Sequence, residues 1–255
     1  MAPLKLAVLD FDIMPQPARA AVVTPATSAR RKSCPYRVMA DLHLVVIPQL
    51  RQHRARALSA TAPTLATPGW HHPPMTEFPS PGAVTAFWRE AGPRRWFAKN
   101  AAFDADFKTR FETAHHLAAS GALDHWAVDA EGALALLVLL DQLPRNAWRG
   151  SGHMFATDGK ALAIAQAAVA AGFDQQVEPA LRPFFYLPFM HSEALADQER
   201  SVALNGALDA DTQRFAVLHR DIVARFGRFP HRNAALGRRS TPEEQQFLDQ
   251  GGFAG

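Results

Sequence analysis

From about residue 78 onward, apolar positions recur every three or four residues. Phe103, Phe107 and Phe111 are spaced by four, Leu117 extends the stripe, and Gly121 follows. That period predicts a helix, with the glycine as its stop. Residues 131–144, "EGALALLVLLDQLP", are apolar nearly all round, which predicts a buried helix ended or kinked by Pro144. "TDGKALAIAQAAVAAGFD" opens on Thr157 or Asp158 as a cap and closes at Gly172. Phe215, Leu218, Ile222 and Phe226 form a further stripe, stopped by Gly227. In "STPEE", Thr241 is the N-cap, Pro242 takes the first helical position and Glu244 completes a capping box. Strand signals are scarce. The expected fold is all-α, a compact array of about seven or eight helices.

Residues 1–75 have a different texture. Ten of the nineteen prolines fall there, and the apolar runs "LKLAVL" and "LHLVVI" are short. Asp10 and Asp12 directly after the first run argue against a signal peptide. An Arg-rich, acid-poor leader also has the look of an organelle transit peptide, but the stronger expectation is an unstructured or mis-annotated extension ahead of Met75. Residues 76–255 then form a single helical domain.

Charge follows the same division. Residues 1–75 hold nine Lys and Arg against three Asp and Glu, whereas the remainder is net −3 in a chain of net +3. The basic balance therefore belongs to the extension and does not indicate nucleic-acid binding by the domain. The single cysteine, Cys34, also lies there, which rules out an intrachain disulfide and leaves a cysteine-free domain suited to the cytoplasm. No stretch approaches the roughly 18–20 apolar residues of a membrane-spanning helix.

Two segments share an order of residues. "LPRNAWRG" (143–150) and "FPHRNAALGR" (229–238) both run Pro, Arg-Asn, apolar residues, then Gly beside Arg. Shared turn chemistry accounts for this, and so does a two-fold arrangement of Arg-Asn corners facing each other. Two copies fall short of a solenoid signature.

With "LLDQLPRNAWRGSGHMFATD", "YLPFMHSEALADQERSVAL" and "RFGRFPHRNAALGRRSTPEEQQFL" taken together, residues 78–250 resemble the bacterial domain-of-unknown-function family 924. The resemblance implies a helical array akin to tetratricopeptide-repeat folds and no established activity. Ala194 and Arg239 depart from the family pattern, each standing where an acidic residue is common.

Candidate chemistry collects in those three motifs. Glu193 and Asp197, four apart, are expected on one helical face, where like charges require a cation if buried. The alternative is a solvated face, with Ser192 as N-cap and Asp197 paired with Arg200. Burying the apolar 131–144 helix carries Asp141 and Gln142 inward beside Arg145 and Asn146. Gln198 lies on the second motif, and His219, Arg225, Arg228, His231, Arg232 and Asn233 gather towards the C-terminal turn. One shared polar pocket is the preferred account. The arginines suit a small anionic ligand, a phosphate or carboxylate. His191, Glu193 and Asp197 are the candidate catalytic residues of an alternative acid–base or metal-assisted hydrolase or lyase. The donor types suit zinc, manganese or magnesium, yet no HExxH or Glu-x-x-His spacing is present. A repeat-like protein-interaction adaptor is the third reading. No cofactor is named by any motif: GxGxxG, GxxxxGK[ST] and G-x-S-x-G loops are all missing. If residues 1–74 are an extension, deleting them leaves the thermal midpoint unchanged in calorimetry, whereas a lowered midpoint would show that they dock.

Overall fold

The computed structural model describes residues 79–253, all α-helix, short 3₁₀ or π turns and loops, with no strand among them. Cys34 and the expected extension, residues 1–75, lie outside the described residues. Ten α-helical segments follow in order, eight of them two turns or longer. No described helix is long and apolar enough to cross a membrane.

Helix α1 (Pro81–Ala91) starts where the Ser80 hydroxyl accepts from the Ala83 amide, and α2 (Pro93–Trp96) is a single turn. Helix α3 (Ala101–Ser120) is capped by Asn100 and stopped by Gly121 at φ +93°, as its pattern predicts. Phe103, Phe107 and Phe111 are buried, and their rings gather around Phe87 and Trp88 of α1 at centroid distances of 5.2–6.3 Å. Full burial of each such ring is worth about 1.5–3 kcal/mol.

The apolar run forms the centre. Helix α4 (Ala130–Leu137) packs on α1, on α6 (Asp158–Ala170) and on α7 (Pro183–His191). Residues 132–144 are buried without interruption. A Cβ on Gly132 would sit 1.9 Å from the Trp126 carbonyl oxygen, so only glycine permits that approach. The helix does not end at Pro144. It passes through a π turn, Val138–Gln142, into α5 (Leu143–Ala147), with Pro144 in the first turn of α5.

The reason lies in hydrogen-bond accounting. Proline supplies no amide, so carbonyls one turn behind it need other donors. The Leu139 oxygen pairs with His115 Nδ1 at 2.9 Å, and the Leu140 oxygen accepts from the Thr157 hydroxyl. Thr157 occupies the N-cap position of α6, but its hydroxyl serves Leu140 and makes no capping bond.

Beyond α7, helices α8 (Leu195–Gly206) and α9 (Ala210–Phe226) each pack on the one before, while α10 (Pro242–Asp249) closes the chain with the expected Thr241–Glu244 capping box. The stripe expected on α9 is rotated. Thr212, Ala216, His219, Ile222 and Val223 face inward, while Phe215 and Leu218 stay 44% and 41% exposed. Spacing alone did not reveal that a histidine lies on the packed face, where it meets Phe229 and Phe253.

Replacing Thr157 by Val keeps the shape and leaves the buried Leu140 carbonyl without its donor. The expected loss is about 1–3 kcal/mol in urea denaturation; an unchanged midpoint would show that another donor takes over.

Candidate functional site

The π turn sets the orientation of the residue on which the site is built. Asp141, 1% exposed, lies within it, and its carboxylate meets three donors. His191 Nδ1 approaches Oδ1 at 2.7 Å, Gln142 donates to Oδ2 at 2.6 Å, and Arg145 Nη1 lies 3.1 Å from Oδ1. Burial works against ionisation, but Arg145 and then His191 outweigh it and hold the carboxyl well below the usual carboxylate range. Since Asp141 is ionised, it accepts, and His191 Nδ1 must carry the hydrogen. His191 Nε2 is then the lone-pair nitrogen, and it has no hydrogen-bond partner among the described residues. Burial, followed by the charge of Arg145, pushes the His191 pKa down, so the ring is neutral near pH 7.

Arg145 carries the network onward. Its Nη2 donates to Asp158 Oδ2 at 3.0 Å, and Arg232 Nη1 donates to the same oxygen at 3.3 Å. Both guanidinium groups also lie over the Phe155 ring, at 5.9 and 4.6 Å from its centroid. The Arg-Asn corners of the two similar segments therefore converge on one carboxylate. Their loops touch as well: a Cβ on Gly152 would lie 2.9 Å from the Ala235 carbonyl oxygen. In each corner the asparagine and the second arginine also pair with carboxylates. Asn146 and Arg149 both donate to Asp104, while Asn233 donates to Glu244 and Arg238 pairs with Glu193 through two bonds of 2.7 and 2.9 Å.

Glu193 departs from its expected position. Helix α8 begins at Leu195, so Glu193 and Asp197 do not share a helical face. Glu193 lies in the link after α7 and accepts from the Phe229 amide and Arg238. Asp197 turns away to Ser192 and Gln166, not to Arg200. Ser192 is no N-cap of α8; that position is Ala194, without a side-chain cap. The cause is a break after His191. Gln198 donates to the Met190 and Ser192 carbonyls, and so satisfies the end of α7 in place of a continuing helix.

His231 and His219 flank the network. Burial lowers their pKa values to about 4 and about 3, with Arg232 and His191 adding repulsion on both. Burial, then Arg145, also brings Arg232 down to about 10, still charged at neutral pH. The remaining expected site residues lie elsewhere. Arg225 pairs with Glu243 in solvent, and Arg228 with Glu244, whose carboxyl it draws down to about 2. Among the described residues, no three His, Cys, Asp or Glu side chains are placed to hold a metal ion.

Asp158, Arg238 and Phe155 are central here and absent from the sequence candidates. Arg238 was marked in the sequence, as the Arg beside Gly in the second corner. Asp158 was visible only as a helix start.

The family model for bacterial proteins of unknown function, DUF924, matches residues 84–252. The chain belongs to this family. A solved structure of a protein of unknown function, ATU0120 from Agrobacterium tumefaciens, is similar at 51% identity. It covers 67% of this chain and 97% of its own, with a TM-score of 0.65. No curated protein matches the chain. The DUF924 match contains every residue of the ion network, from Asp141 to Arg238.

Two outcomes follow. Arg145→Ala strips the partner from a buried carboxylate and should cost about 3–5 kcal/mol in chemical denaturation; a near-neutral shift would show the network to be slack. Second, histidines whose folded pKa lies below 6.5 bind fewer protons folded than unfolded as pH falls. Stability should therefore be full above about pH 6.5 and decline towards pH 4 and 3, with a shallower decline in His219→Phe. Parallel melting curves for the two proteins would remove His219 from that account.

Proposed function

We propose that the face formed by Arg232, Arg238 and His231 binds a small anionic compound carrying a carboxylate or phosphate. One observation supports this most directly. Arg232 Nε and Arg238 Nε are buried donors without a partner among the described residues, and His231 Nδ1 is likewise unpaired. A buried donor left unmade costs about 1–3 kcal/mol, which the oxygens of an anion would recover. Asp158 Oδ1 is also strained for partners, lying 2.9 Å from Arg145 Nη1 but out of line for a hydrogen bond.

The network is otherwise charge-balanced, since Arg145, Arg232 and Arg238 meet Asp141, Asp158 and Glu193 while the histidines are neutral. An added anion tips that balance and favours protonation of His231, whose Nδ1 is unpaired. Binding is therefore coupled to proton uptake and tightens as pH falls. The cytoplasmic setting argued from the cysteine-free domain belongs to the same proposal, as does the tetratricopeptide-like character of the helix array.

Titration calorimetry with inorganic sulfate, whose charge is constant between pH 6 and 8, tests the reading. The expected result is tighter binding at pH 6 than at pH 8, proton uptake revealed by buffers of different ionisation enthalpy, and loss of binding in Arg232→Met and in His231→Ala. Identical heats in wild type and both variants would discard it.

A further inference from the structure

The anion face sits beside a histidine that is oriented by a buried carboxylate and has one ring nitrogen to spare. We propose that His191 Nε2 is the proton-accepting group of this site and Asp141 the residue that positions it, acting on a carboxylate- or phosphate-bearing compound held by Arg232. This rests on the anion reading above, yet its geometric basis is separate.

Four observations carry it. The Nδ1···Oδ1 contact of 2.7 Å fixes the ring and its tautomer, so the free lone pair is at Nε2. The ring keeps 14% of its side-chain surface exposed while Asp141 keeps 1%, so the dyad has a closed end and an open one. Asp141 projects from a π turn, an energetically poor element that recurs at functional sites. A structural carboxylate for Arg145 was already available in Asp158, so Arg145 alone does not require a second one. The charged and titratable groups facing His191 are Asp141, Arg145 and Asp158, with His219 and His231 across from it. Burial, then Arg145, lowers its pKa below the ordinary histidine value, so the ring is neutral, hence competent to accept, at neutral pH.

The step moves one proton. Nε2 takes it from an O–H of water or of the bound compound: an N–H bond forms, the O–H bond breaks, and its electron pair stays on oxygen. The imidazolium so formed is stabilised by the Asp141 carboxylate until it returns the proton to solvent water. Asp141 touches no substrate and acts only through His191.

The test uses the full chain, diethyl pyrocarbonate and peptide mass spectrometry, with N-acetylhistidine in the same tube. A neutral imidazole nitrogen attacks a carbonyl carbon of the reagent, the anhydride C–O bond breaks, and ethyl carbonate leaves and decomposes to ethanol and carbon dioxide. The standard titrates near 6.5 and His191 lower, so the His191 rate relative to it should rise as pH falls from 8 to 5. Inorganic sulfate should slow His191 several-fold. In Asp141→Asn, the negative charge beside the ring is gone, the imidazole is a weaker base, and modification at His191 should fall several-fold while the chain still melts cooperatively. If that variant does not fold, nitrogen NMR of wild-type histidines decides: a neutral ring protonated at Nδ1 supports the assignment, and one protonated at Nε2 overturns it. An inert His191 across the whole pH range overturns it too, whatever sulfate does. A reactive His191 that ignores sulfate leaves the base in place and removes the anion reading alone.

Discussion

A carboxylate buried to 1% exposure in the π turn that follows the apolar helix α4 is the constraint around which the molecule is arranged. Asp141 cannot remain charged there unless cations and donors are brought to it, and they arrive from the next turn and from two distant stretches of chain. Arg145 comes from the next turn, His191 from the end of α7, and Arg232 through Asp158 from the C-terminal corner. Each of those residues is held in turn by its own backbone setting. The ion network thereby fixes α5, α7, the start of α6 and the loop after α9 relative to one another, a task the non-directional packing of leucines and phenylalanines does not perform.

The same centre shows how a proline is tolerated inside the core. Pro144 removes an amide from the middle of a buried helical run, and the chain answers with a π turn plus two borrowed donors. The His115 ring and the Thr157 hydroxyl belong to neighbouring helices, so a local backbone deficit becomes a tertiary contact. The turn also directs Asp141, two residues before Leu143, towards His191. Backbone accounting and site geometry are therefore one arrangement rather than two.

Convergence of the two Pro/Arg-Asn corners gives the site an approximate symmetry that ends at Asp158. One corner spends its asparagine and its second arginine on Asp104, and the other divides them between Glu244 and Glu193. Only the second corner has buried guanidinium nitrogens to spare, at Arg232 and Arg238. That asymmetry, with neutral His191 and His231 alongside, is the observation on which the proposed anion site rests.

Much of the architecture was legible in residue order because helix signals are local. The phenylalanine stripe of α3, its glycine stop, the capping box before α10 and the burial of residues 132–144 each depend on neighbours within a few positions. The three site motifs could also be picked out, since so many Asp, Glu, His, Arg and Asn residues beside apolar runs demand partners. Which partner each one takes was decided only by the tertiary structure. The sequence placed Glu193 and Asp197 on one face, but the chain breaks after His191 and sends them to Arg238 and Ser192. It marked Arg145 and Arg232 and passed over Asp158, the carboxylate between them, because a pairing across 74 positions leaves no periodic trace. Helix and turn preferences act within a few residues of sequence, whereas desolvation and charge pairing depend on distances in space that only the packed chain sets.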